Sequence, residues 1–129
     1  MRDTVRVAVY GTLQRGECNH GVLGGARYLG TDDLTRIVLY ELGGYPGAHW
    51  GASDGIQVEV YAVDAMTLIA LDELEECVPD APAQGLYRRE PIETRFGTAW
   101  IYLYNPPVPD QVPIRQGRWR GQPETVRSP

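Results

Sequence analysis

The sequence predicts an α+β fold, a small, mixed, mostly antiparallel β-barrel or curved sheet with one main flanking helix. Several segments alternate apolar and polar residues with the period of two that is typical of strands. One segment, residues 65–76, has the apolar spacing of a helix and follows a capping residue, Asp64. The strand segments lie before and after this helix, and that order indicates an α+β domain.

The first predicted strand is Val5–Val9, where valine occupies every second position. This period predicts a half-buried strand. Gly11 ends it, because glycine reaches backbone angles that are closed to other residues. Asn19 is placed to cap a short helical turn that runs through Leu23.

Five further strands are predicted, at residues 26–29, 34–42, 56–63, 87–94 and 98–104. Residues 31–33 are expected to form a turn between two of them, because aspartate favours turns. His49 and Trp50 follow a glycine-rich break and are predicted to lie in a loop. Residues 95–97 join the last two strands, which therefore form a hairpin.

The length of 129 residues fits one domain with a substantial core. We assign that domain to residues 1–104. Residues 105–129 form a proline-rich tail that we expect either to pack on the domain or to be partly disordered, without regular structure. Ile114 and Trp119 favour packing for part of the tail.

Composition excludes several classes of function. The net charge is −5 with no basic run, so a nucleic-acid partner is not expected. All twelve basic residues are arginine, and the absence of lysine excludes Schiff-base chemistry and a lysine nucleophile. Neither Ser53 nor Ser128 lies in a nucleophile-elbow sequence. Cys18 and Cys77 are far apart and form no metal-ligand pair.

The chain has no apolar run that is long enough to cross a bilayer, and its N-terminus lacks a signal-peptide core. We therefore expect a soluble, cytoplasmic protein without a membrane partner.

A glycine turn at residues 10–13 is the first candidate site. Where a strand runs into this turn, the N–H groups of Thr12 and Leu13 are left without partners in the sheet. In a concave loop such groups converge on a carboxylate or a developing oxyanion. On the pattern alone, an ordinary turn with solvated amides is the better explanation, because the segment lacks the further glycines of a phosphate-binding loop.

Glu75 is the second candidate. With Leu71 at the centre of the apolar helix face, Glu75 lies about 40° away, whereas Asp72, Glu73 and Glu76 project to the wet side. A carboxylate directed inward has a raised pKa unless it finds donors, and such a pKa suits a general base that later acts as an acid. Two structural alternatives remain open: a frayed helix end, or a buried glutamate satisfied by an arginine or a tyrosine.

Three segments in this order resemble the γ-glutamylcyclotransferase-like, or AIG2-like, superfamily over roughly residues 5–104. They are Tyr10-Gly11-Thr12-Leu13 with Arg15-Gly16 and Asn19-His20, then Gly44-Tyr45-Pro46, then Leu71-Asp72-Glu73-Leu74-Glu75 with Tyr87-Arg88-Arg89. Residues 114–119 are similar to the closing segment of bacterial members.

The resemblance implies a small mixed barrel with a cavity at its mouth. The main-chain amides of Tyr10, Gly11, Thr12 and Leu13 would bind a γ-glutamyl group, and Glu75 would be the acid/base. Tyr87 would lie beside Glu75, and Tyr104 would reach the site from a neighbouring strand. Family members often have glycine where this chain has Glu76, and the loop at residues 77–85 looks longer than usual.

The activity implied is cyclisation of a γ-glutamyl amine or amino acid to 5-oxoproline with release of the free amine. It is a lyase-type reaction that needs no metal, cofactor or covalent enzyme intermediate, because the nucleophile belongs to the substrate. The partner would be this small molecule, and the protein would be a monomer or a weak homodimer.

Two other functions remain open at this point. One is a non-catalytic module on the same fold that binds a small molecule or a protein; binding of a γ-glutamyl compound without turnover would favour it. The other is hydrolysis of a γ-glutamyl bond, which would release glutamate instead of 5-oxoproline.

Overall fold

The computed structural model describes residues 4–121. In chain order its elements are β1 (Val5–Val9), a 3-10 helix (His20–Leu23), β2 (Arg27–Leu34), β3 (Ile37–Glu41), β4 (Pro46–Trp50), β5 (Ile56–Val63), α1 (Ala65–Leu74), a second 3-10 helix (Pro82–Gln84), β6 (Tyr87–Thr94), β7 (Gly97–Tyr104) and β8 (Pro113–Ile114). Within these residues no helix is long and apolar enough to cross a membrane.

The strands form two sheets. The larger has the order β2–β5–β1–β7–β6, and within it β1 pairs parallel with β7 while the other neighbours are antiparallel. The smaller has the order β4–β3–β8 and is antiparallel. The predicted α+β class with one main helix is therefore confirmed, in the form of curved sheets that do not close into a barrel.

Strand β1 lies at the centre of the larger sheet and is covered on both faces. Ala8 belongs to a core that is shared with the smaller sheet, whereas Val7 and Val9 pack toward Leu23 and Leu71 on the helical side. These three residues are at most 3% exposed, whereas Val5 and Arg6 at the start of the strand are exposed. The prediction of a half-buried strand is wrong, because one face meets a second sheet and the other meets helices.

Two local predictions are also wrong, because pairing between strands overrides local sequence preference. β2 continues through Thr31, Asp32 and Asp33, which pair with residues of β5 instead of forming a turn. His49 and Trp50 belong to β4 and pair with β3 instead of lying in a loop. The predicted hairpin of the last two strands is confirmed, with Thr94 opposite Gly97.

Helix α1 begins as predicted, since the Asp64 carboxylate accepts a hydrogen bond from the Thr67 N–H at 2.9 Å. It ends two residues earlier than predicted, with Glu75 as its C-cap. Glu76 follows with a φ of 52°, the left-handed conformation that commonly ends helices and favours glycine. Glycine, which the resemblance leads us to expect at this position, would adopt this backbone conformation without strain.

Part of the tail packs on the body. β8 pairs with Leu39 and Tyr40, so the prediction of no regular structure is wrong at residues 113–114. Trp119 is 4% exposed and belongs to the core between the sheets, which confirms the predicted packing there. Residues 122–129, the rest of the predicted tail, lie outside the described residues.

Candidate active site

A cavity of about 360 Å³ opens where β1 ends, between the glycine turn and the end of α1. Its walls are Ala8, Val9, Tyr10, Gly11, Thr12, Leu13, Cys18, Asn19, Gly44, Tyr45, Pro46, Leu74, Glu75, Glu76, Leu86, Tyr87 and Tyr102. The three sequence segments that are far apart along the chain thus meet at one hollow. Two carboxylates and no basic side chain belong to this lining.

Glu75 lines this cavity from the C-cap of α1, where its N–H donates to the Leu71 carbonyl at 2.9 Å. In the described chain no hydrogen bond from the protein reaches its carboxylate. Burial raises the pKa of Glu75 from its ordinary value of 4.5 to about 7, because the charged form has lost water without gaining a donor. A carboxyl group in this state both accepts and donates a proton near neutral pH.

The glycine turn lies directly against Pro46. A Cβ added to Gly11 would be 2.7 Å from the Pro46 Cγ, which is closer than real carbon contacts allow. The φ of Gly11 is outside the left-handed region, so glycine is needed here for close approach and not for its backbone freedom. Asn19 fixes the other side of the turn. Its backbone N–H donates a hydrogen bond to the Thr12 carbonyl, and its side-chain amide donates one to the Thr12 hydroxyl.

The N–H groups of Gly11, Thr12 and Leu13 have no hydrogen-bond acceptor anywhere in residues 4–121. All three residues line the cavity. Because backbone donors are rarely left without a partner, these amides are available to the oxygen atoms of a ligand.

Tyr10 and Tyr87 are buried in the cavity wall with their hydroxyls committed to backbone carbonyls. The Tyr10 hydroxyl donates to the Tyr102 carbonyl at 2.5 Å, and the Tyr87 hydroxyl donates to the Pro46 carbonyl at 2.9 Å. Burial raises the pKa of both phenols, and the negative charge of nearby Glu75 adds to the effect. Both therefore stay protonated and act as fixed walls.

Tyr104 lies one layer behind the cavity and does not line it. Its ring is edge-on to Tyr87 at 5.3 Å and stacked with His49 at 6.4 Å. The structure thus brings together the other sequence-predicted site residues and places Tyr104 as packing support for Tyr87.

Sequence reasoning missed a buried network that connects α1 to the larger sheet. Asp72, predicted to face water, is 8% exposed. Its carboxylate accepts from Arg89 Nε at 2.6 Å, from Arg89 Nη2 at 3.1 Å and from the Tyr102 hydroxyl at 2.7 Å. A signal was present, because Arg89 shares a strand face with the buried Tyr87 and an inward arginine needs an acid.

Within the described residues no cluster of three histidine, cysteine, aspartate or glutamate side chains is arranged to hold a metal ion. The candidate site combines the carboxyl groups of Glu75 and Glu76 with three unpaired amides and a tyrosine-rich wall.

A sequence model of the family described as γ-glutamyl cyclotransferase, AIG2-like, matches residues 7–121. That range contains every residue of the cavity wall. The chain belongs to this family. The resemblance drawn from the three sequence segments is therefore confirmed.

Relatives of this AIG2-like γ-glutamylcyclotransferase family member cover most of its length. YtfP of Escherichia coli, named a γ-glutamylcyclotransferase family protein, is 36% identical over 115 residues, or 89% of this chain and 96% of YtfP. A Vibrio cholerae protein, whose name gives γ-glutamylcyclotransferase as an activity still to be established, is 48% identical over 99 residues, or 76% of this chain and 80% of that protein.

Solved structures show the same fold for the family member. The crystal structure of an uncharacterized Pyrococcus horikoshii protein matches with a TM-score of 0.70 at 32% identity and covers 86% of each chain. The solution structure of YtfP matches with a TM-score of 0.69 at 37% identity, covering 89% of this chain and 96% of YtfP.

Proposed function

We propose that this protein cyclises the γ-glutamyl group of a γ-glutamyl amine or amino acid to 5-oxoproline and releases the free amine, with Glu75 as acid and base. One observation carries the proposal: the Glu75 carboxyl group, with its pKa raised to about 7, lines the same cavity as the unpaired amides of the glycine turn. Family membership supports the same assignment.

Substrate binding would use the glycine turn. The N–H groups of Gly11, Thr12 and Leu13 would bind carboxylate or carbonyl oxygens of the γ-glutamyl group, and Tyr10 and Tyr87 would enclose its methylene chain. A cavity of about 360 Å³ is large enough for a small molecule of this kind. Leu74, Glu76 and Leu86 form another part of the wall, where the leaving amine would lie.

The reaction would begin when ionised Glu75 takes a proton from the substrate α-ammonium group. The freed α-amine attacks the γ-carbonyl carbon, forms the lactam C–N bond and places negative charge on the carbonyl oxygen, which the turn amides stabilise. The bond to the leaving nitrogen then breaks.

Two protons leave the attacking nitrogen in all, and two reach the departing amine, so Glu75 ends in its initial ionised state. The nucleophile is held within the substrate, and the proposal therefore requires no metal, cofactor or covalent enzyme intermediate. We propose that the protein acts as a monomer or a weak homodimer.

The test is a panel of γ-glutamyl amines and γ-glutamyl amino acids assayed for 5-oxoproline with the wild type and the Glu75→Gln variant. We expect the wild type to convert at least one compound. We expect Glu75→Gln to lower kcat by roughly 10²–10⁴-fold, the usual contribution of general acid–base catalysis, with an unchanged circular dichroism spectrum.

Glu73→Gln is the matched control, because Glu73 is an exposed glutamate on the same helix outside the cavity wall. It should keep wild-type turnover. Equal activity of Glu75→Gln and Glu73→Gln would contradict the role of Glu75. Release of glutamate, or binding without any product, would instead support the hydrolase or the non-catalytic module.

A further inference from the structure

Gln14 is a fully buried polar side chain that lies next to the glycine turn but outside the cavity wall. Its side-chain Nε2 donates to the carbonyl oxygens of Tyr10 at 2.9 Å, Gly11 at 3.3 Å and Trp119 at 2.9 Å. Its Oε1 accepts from Arg118 Nε at 3.0 Å. Every hydrogen-bonding group of this carboxamide is thus used to hold backbone or the tail.

The bonds of Gln14 determine where the neighbouring N–H groups point. In a planar trans peptide the C=O and the following N–H lie on opposite sides of the chain. The carbonyls of Tyr10 and Gly11 point toward Gln14, so the N–H groups of Gly11 and Thr12 point away from it. These are two of the three turn amides that have no acceptor within the described residues.

The end of the described chain holds Gln14 in this position. Arg118 reaches Gln14 Oε1 and also donates from Nη2 to the Arg15 carbonyl at 2.9 Å. Its guanidinium lies 3.6 Å from the buried carboxylate of Glu59. The guanidinium is therefore restrained by charge from one side and by hydrogen bonds from the other.

Trp119 connects the same segment to the loop on the other side of the cavity. Its indole Nε1 donates to Glu41 Oε1 at 2.7 Å, and Glu41 Oε2 accepts from the N–H groups of Gly43 at 3.1 Å and Gly44 at 2.8 Å. Gly44 lines the cavity. Residues 118–119 thus support both walls of the site without entering it.

We propose that Gln14 is a positioning residue that aims the N–H groups of Gly11 and Thr12 into the cavity, and that Arg118 and Trp119 hold it there. The inference deepens and rests on the proposed function, in which these amides stabilise the carbonyl oxygen during attack. Gln14 acts through the backbone and does not touch the substrate.

The test is the Gln14→Glu variant. It keeps the size of the side chain and the acceptor for Arg118 but removes all three donated bonds. Because the lost alignment affects charge that develops in the transition state, we expect kcat to fall by roughly 10–10³-fold while KM changes much less. The pH profile set by Glu75 should keep its midpoint. A wild-type kcat in the variant, or a rise in KM without a fall in kcat, would overturn the proposal.

A second readout does not depend on turnover. In ¹⁵N–¹H spectra of the wild type, addition of 5-oxoproline should shift the Gly11 and Thr12 amide signals, and Gln14→Glu should weaken both responses. Equal responses in the two proteins would overturn the inference. If the wild type makes no 5-oxoproline from any compound, the proposed function fails, while the spectra still decide the positioning role.

Arg118→Met gives a milder variant if Gln14→Glu does not fold. It leaves the three donated bonds of Gln14 in place and removes only the support from the tail. We expect an intermediate loss of kcat and an intermediate amide response. Full wild-type values of both would contradict the supporting role of Arg118.

Discussion

At the scale of single residues, the proposed role of Glu75 depends on where its helix ends. Periodicity places it on the leucine side, and the structure confirms that it faces a hollow and not bulk water. The same periodicity wrongly predicts that Asp72 faces water, because helix periodicity contains no information about the side chains of a neighbouring strand. Arg89 reaches Asp72 from β6 and makes burial of the acid favourable.

The raised pKa of Glu75 has a consequence for stability. The folded protein holds this proton more tightly than the unfolded chain, so the free energy of unfolding falls as pH rises from about 4.5 to about 7. Glu75→Gln removes this cost. We expect the variant to be more stable than the wild type by about 1–3 kcal/mol at pH 8 and equal to it near pH 4.

Urea unfolding of both proteins at pH 4 and pH 8 measures this difference. A wild type that is as stable as Glu75→Gln at pH 8 would mean that the carboxylate is well solvated, and its proposed role as a tuned acid would lose its basis.

At the scale of elements, the end of α1 is fixed to the larger sheet by Asp72, Arg89 and Tyr102. The Arg89 guanidinium also lies 4.6 Å from the Trp100 ring, so its charge is enclosed on two sides. Asp72, the helical member of this network, lies three residues before Glu75. The network therefore restrains the helix end that carries Glu75.

Asp72→Asn tests the network. The variant keeps the size of the side chain but leaves the buried Arg89 charge without its partner, and we expect a loss of about 2–4 kcal/mol in the free energy of unfolding. Glu73→Gln, at the exposed neighbouring position, should change it by less than about 0.5 kcal/mol. Equal urea midpoints for the two variants would show that the pair contributes nothing to stability.

At the scale of the whole molecule, the sequence predicts the fold class, most strands and the start of the helix. It also predicts the two candidate parts of the site, the glycine turn at residues 10–13 and Glu75. It does not predict that β1 is covered on both faces, since the alternation of its valines looks the same with one face exposed. Nor does it predict that β2 runs through Asp32 and Asp33, whose preference for turns is overridden by pairing with β5.

The supporting role that we propose for residues 118–119 is likewise absent from the local sequence pattern. In the sequence Gln14 looks like an ordinary loop residue. Its hydrogen bonds to Arg118 and Trp119 form only in the folded protein, across more than a hundred positions. Contacts of this kind depend on tertiary packing, which periodicity and turn preference do not contain.

The most direct test of the central claim is the pH dependence of kcat/KM for 5-oxoproline formation between pH 5 and pH 9. Because Glu75 must be ionised to take the first proton, the wild type should lose activity below a midpoint near pH 7, about tenfold per pH unit, and Glu75→Gln should lack this limb. A wild-type profile that is flat from pH 5 to pH 8, or an identical limb in Glu75→Gln, would contradict the account.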